Sequence, residues 1–170
     1  MNDLQNFILK IIINLFNIDQ IEQFYKRSEI RYGILNYVAK YSLARDKYYI
    51  TKECLDHLNR LNLITEKGLR RGSKSKKNQF TYEHPIPSNV IADKLFENRE
   101  NPEIIKKILI WSDVVTVLTS KEDELLMKNY RSKMPSQWKF FEHEKFERYR
   151  ICGIENPPSL EVGVFGSVQR

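Results

Sequence analysis

Cysteine is scarce. Cys54 and Cys152 are the only two in 170 residues, with no CxxC spacing and no companion histidine cluster. That excludes a disulfide framework and a cysteine-rich zinc module, and it fits a reducing, cytoplasmic compartment. Long apolar runs are missing as well. The most apolar stretch, Phe7-Ile8-Leu9-Lys10-Ile11-Ile12-Ile13-Asn14-Leu15-Phe16, is broken by Lys10 and Asn14 and is too short to span a bilayer. It also lacks the cationic start and small-residue cleavage site of a secretory signal. No membrane partner is therefore expected, and the stretch reads as a buried helix or as the face through which two copies form a homodimer. Glycine and proline, six of each, are too few for a collagenous or low-complexity chain. The sequence holds no internal repeat, no Gly-rich phosphate loop with a following Lys-Ser/Thr, no GxGxxG, no nucleophile elbow and no HExxH.

What is present is enough apolar mass to fold. Hydrophobic residues make up 41% and aromatics 12% of the chain, which argues against global disorder and for one domain or two small subdomains sharing an interface. The formal net charge is +6, and it is not spread evenly. The run from Lys67 to Gln79 carries Lys67, Arg70, Arg71, Lys74, Lys76 and Lys77 with no acid. This local excess equals that of the whole chain, so the remainder is near neutral. A concentrated basic segment points to a polyanionic partner, nucleic acid first; a solvated surface loop is the plainer alternative.

Helical periodicity dominates the first third: the opening helix, a segment from Asp19 through Arg27, and an amphipathic stretch from about Glu29 to Arg45 with Ile30, Ile34, Leu35, Val38 and Tyr41 on one side. Thr51 caps a helix bearing Leu55, Leu58 and Leu61. Leu63-Ile64-Thr65 reads as a short strand, the basic run as a loop, and Gln79-Phe80-Thr81-Tyr82 as the returning strand. That order is similar to a winged helix over residues 19 to 83, which implies a recognition helix carrying Lys52, His57, Asn59 and Arg60 and a basic wing along phosphates. Asn101-Pro102-Glu103 starts a further helix, Val114 to Leu118 forms an apolar strand, and Ser120 with Asp123 caps the next helix. The expected fold class is α+β. A helical half with a winged-helix-like hairpin spans 1–87, a small α/β half spans 88–154, and an extended tail covers 155–170.

Chemistry is expected first at Glu83 and His84, a carboxylate beside the side chain that titrates nearest neutrality. Neighbours on a regular strand point to opposite faces, so only a bend at Pro85 would bring both to one site. The segment Tyr82-Glu83-His84-Pro85-Ile86-Pro87 resembles the first strand of HNH-type nucleases. That resemblance implies a histidine that activates water, beside a metal held by neighbouring Asp and His ligands. Here no cysteine knuckle precedes the pair and the next histidine is His143, so no metal site is carried over and the metal ligands stay unknown. Magnesium would be the cofactor if the chain were a nuclease. The alternative for His84 is a satisfied histidine at a strand end. Two more clusters stand out: Thr119-Ser120-Lys121-Glu122-Asp123, an anion site or simply a helix cap, and Arg131, Lys133, Arg148 and Arg150 among aromatics, for phosphates or for surface ion pairs. The expected function is nucleic-acid binding, DNA favoured over RNA, with endonuclease activity in one version. In that version Arg70, Arg71, Lys74, Lys76, Lys77, Lys52, Arg60, Arg131 and Arg148 hold phosphates while His84 and Glu83 act catalytically. The alternative is a non-enzymatic DNA-binding regulator or a protein-partner-binding module using the same basic loop.

Overall fold

A computed structural model describes residues 1–25, 27–73, 77–155 and 158–166. Among them the chain is a mixed α+β protein with eight helices and one six-stranded sheet. None of these helices is long and apolar enough to cross a membrane.

Five helices form a lobe of their own. α1 (Asp3–Phe16) opens with a reciprocal cap: the Gln5 amide donates to Asn2 Oδ1 at 2.9 Å, and the Asn2 amide donates to Gln5 Oε1 at 3.1 Å. Its stripe of Ile8, Leu9, Ile12 and Phe16 is buried, while Leu4 and Phe7 stay outside. α2 (Ile21–Tyr25) and α3 (Ser28–Leu43) follow, and Ile34, Val38 and Tyr41 of α3 face the same core. The rest of the lobe comes from later in the chain. α5 (Ser88–Glu97) brings Ile91, Ala92 and Leu95, and α6 (Pro102–Ser112) brings Ile105, Ile108 and Leu109. The Asn101 cap and the Pro102 start of α6 are as its sequence demands, with Asn101 Oδ1 accepting from the Ile104 amide at 3.1 Å.

The sheet is built from β1 (Lys47–Ile50), β2 (Ile64–Thr65), β3 (Gly68–Arg70), β4 (Phe80–Glu83), β5 (Thr116–Thr119) and β6 (Leu160–Phe165) in the order β2-β3-β6-β1-β5-β4. β1 runs parallel to β5, and β3 parallel to β6. α4 (Lys52–Arg60) covers one face, with Cys54 and Leu58 packed among Tyr48, Ile50, Val117, Val162 and Val164. α7 (Ser120–Tyr130) and α8 (Glu147–Ile151) serve the other face, where Leu126, Phe146 and Tyr149 meet Leu118.

The expected hairpin between residues 63 and 82 is not the pairing found. β2 turns back at once through Glu66 and Lys67 onto β3, pairing Ile64 with Leu69 and Thr65 with Gly68. Inside the basic run, Leu69 is fully buried and anchors this early return. Gly68 makes it geometrically feasible: its φ is 97°, and a Cβ there would collide with the Gly163 carbonyl. β4 instead pairs antiparallel with β5 at the far edge. The expected halves also interleave, since strands from 47–83 and from 116–165 share one sheet. β6, within the segment expected as a tail, lies between β3 and β1, and its inward Val162 and Val164 alternate at period two on either side of Gly163.

Candidate nucleic-acid interface

Because β3 and β4 stand four strand positions apart, the basic segment between them must cross roughly 19 Å of sheet at ~4.8 Å per strand. It is pinned at both ends. At its start the chain makes a short 3-10 turn, Arg71–Ser73. There Arg71 Nε donates to Tyr48 Oη at 3.2 Å, and its other guanidinium nitrogens bond the carbonyls of Gly166 and Arg45. Tyr82 Oη donates to the Arg71 carbonyl at 3.2 Å. At its end, Asn78 Nδ2 donates to the Ser73 carbonyl at 2.6 Å, and His57 Nε2 lies 2.8 Å from the Asn78 carbonyl. A carbonyl only accepts, so this bond makes Nε2 the protonated nitrogen of His57. His57 thus ties the basic segment to α4. The Ser120 amide then donates to the Gln79 carbonyl at 2.9 Å.

The expected phosphate ligands divide accordingly. Lys67, Arg70 and Lys77 are exposed, as are Lys52 and Arg60 on α4. Lys74 and Lys76 lie outside the described residues. Arg71 is committed to the fold, its donors directed at Tyr48, Gly166 and Arg45. Arg148 is likewise removed from the surface at 0% exposure. Its Nε donates to the Pro85 carbonyl and its Nη1 to the Tyr130 carbonyl, both at 2.7 Å, and Nη2 bonds the His84 carbonyl and Glu83 Oε1. Burying a guanidinium costs several kcal/mol, and here that cost is offset by four acceptors that converge on it. The result ties the end of β4 and the end of α7 to α8.

Glu83 is therefore one half of an ion pair with Arg148. His84 follows with its Nε2 buried and without a hydrogen-bond partner among the described residues. Burial lowers its pKa from 6.5 to about 4, the Arg148 charge adds to the fall, and the Ala39 backbone opposes it. The ring is consequently neutral at physiological pH. Among the described residues no group of three or more His, Cys, Asp or Glu side chains is placed to hold a metal ion.

The second cluster caps helices, one residue earlier than expected. Thr119, not Ser120, is the N-cap of α7, and its partner is Glu122 rather than Asp123. The Glu122 carboxylate oxygen Oε2 accepts from the Thr119 amide at 2.9 Å and from the hydroxyls of Thr119 and Thr51 at 3.0 Å each. Thr51 in turn caps α4. One buried carboxylate therefore joins two helix starts at the ends of parallel strands β1 and β5, where a foreign anion would otherwise sit. The start of α4 holds another acid, because the Lys52 amide donates to Glu155 Oε2 at 2.7 Å. Arg131 lies just beyond α7; it is exposed, and its guanidinium has no partner among the described residues. Compared with family models, curated proteins and solved structures, the chain matches none.

Proposed function

We propose that this chain is a nucleic-acid-binding protein, with duplex DNA the favoured partner. Phosphates are met by Lys67, Arg70, Lys74, Lys76 and Lys77 of the basic segment and by Lys52 and Arg60 of α4. The observation that carries this reading is the segment itself: it is rich in cations, free of acid, and tied at one end to α4 by the His57–Asn78 bond and at the other to Tyr48 of β1 by Arg71. Pinning lowers the conformational entropy lost when such a segment orders on a partner. In winged-helix terms α4 takes the place of the recognition helix, and the tight β2–β3 turn with the following crossover takes the place of the wing.

Binding is favoured over cleavage because the two groups that a nuclease version requires are engaged elsewhere. Glu83 holds Arg148, and the Nε2 of His84 is enclosed. Incubating the protein with labelled duplex DNA, single-stranded DNA and RNA, with and without Mg²⁺, tests both points. The expected result is salt-sensitive binding, strongest for duplex DNA, with no cleavage in any condition. Cleavage that His84→Ala abolishes while binding persists would restore the endonuclease version. Absence of binding even at low salt would favour an acidic protein partner.

A further inference from the structure

A cavity of about 540 Å³ opens where α3, the end of β4, the start of α5 and the segment after α7 meet. That size lies within the range of small-ligand sites. The nucleic-acid reading above does not use it. We propose that this cavity binds a phosphate monoester, either the terminal phosphate of a nucleic-acid strand or a free mononucleotide.

Two features of its wall point to that ligand. The first is the cations. Arg131 has no partner among the described residues. Arg31 of α3 is held in place by Asp93, which takes bonds from Nε at 3.2 Å and from Nη2 at 2.9 and 3.1 Å and leaves Nη1 uncommitted. The second is the start of α5. Its N-cap is Pro87, which supplies no side-chain acceptor, so the positive end of a ten-residue helix, with Ser88 and Asn89 on the cavity wall, begins without a side-chain cap.

The charge balance favours a dianion. Arg31 is matched by Asp93 and Glu83 by Arg148, and His84 is neutral. Arg131 and the α5 dipole are left as net attraction. Donors from three separate elements suit a tetrahedral group with several oxygens better than a planar carboxylate. The site does not depend on the basic crossover, although a strand end is one of its two sources of ligand.

Isothermal titration of the full chain with a nucleoside 5′-monophosphate, the matching nucleoside, and an oligonucleotide with and without its 5′-phosphate tests the site. The monophosphate is expected to bind at least about tenfold more tightly than the nucleoside, and Arg131→Gln is expected to remove about that factor. Ser88→Pro deletes the amide and the hydroxyl at a first helical position that tolerates proline, and it should weaken the monophosphate at an unchanged melting temperature. An oligonucleotide that prefers its 5′-phosphate identifies strand ends as the ligand. Nucleotide binding without that preference identifies the free mononucleotide, and either outcome supports the site. Arg70→Gln with Lys77→Gln should leave monophosphate affinity unchanged, so a failure of duplex binding stays separate from a failure here. Equal affinity for nucleoside and monophosphate, or an Arg131→Gln protein that binds like the wild type, overturns the proposal.

Discussion

Inside the fold His84 is kept neutral by burial, with a pKa near 4 against 6.5 for a solvated histidine. Between those values the unfolded chain takes up a proton that the folded chain refuses, so stability falls as pH falls through this window. Going from neutral to about pH 4.5, this one group should cost about 2 kcal/mol. Urea unfolding of the wild type and of His84→Phe at both pH values measures it. The variant should lose less stability on acidification by about that amount, and equal losses would mean that His84 is not held neutral. Residue identity alone did not announce this environment. Arg148 and Arg71 likewise have the composition of phosphate ligands, and only the sheet reveals that Pro85, Tyr130, Arg45 and Gly166 offer carbonyls to them. Clustered arginine spells charge in a sequence, whereas whether that charge meets solvent or a backbone carbonyl is decided by partners up to 95 residues apart.

At the level of elements, local chemistry was legible and pairing was not. The Asn101-Pro102 start, the Thr51 cap and the apolar stripe of α1 form as their residues require. β2 and β3 depended on a feature hidden inside the basic run, where Leu69 supplies buried apolar mass and Gly68 supplies a left-handed φ beside β6. Any Cβ at Gly68 meets both a strained backbone and the Gly163 carbonyl. Gly68→Ala should therefore destabilise by about 2–4 kcal/mol, more than a φ penalty alone. Thermal melting checks this: a shift within ordinary surface-substitution scatter would contradict the close β3–β6 approach. β6 itself was obscured by Gly163 and Gly166, which dilute a period-two pattern that Val162 and Val164 still carry.

For the molecule as a whole, the two apparent halves of the sequence are one sheet plus a helical lobe; across the sequence, the Arg148 lock ties the end of β4 to α8, and Gln5 of α1 donates to the Tyr41 carbonyl at 3.1 Å and to Asp113 Oδ2 after α6 at 2.9 Å. Interleaved strands place the basic segment on a crossover rather than on a free hairpin tip, and its two ends are fixed to different parts of the fold. The described ends of the charge-rich segment are thus tied to the fold, Asn78 to α4 and Arg71 to β1. The most direct test is the salt dependence of duplex DNA binding for the wild type and for a variant with Arg70, Lys74, Lys76 and Lys77 changed to Gln, leaving Arg71 in place to preserve the fold. Fluorescence anisotropy across a range of salt gives the slope of log affinity against log salt. Each phosphate that the variant no longer neutralises should reduce that slope by about 0.9, so the variant should bind more weakly and with a visibly flatter dependence. An unchanged slope in a folded variant would contradict the account.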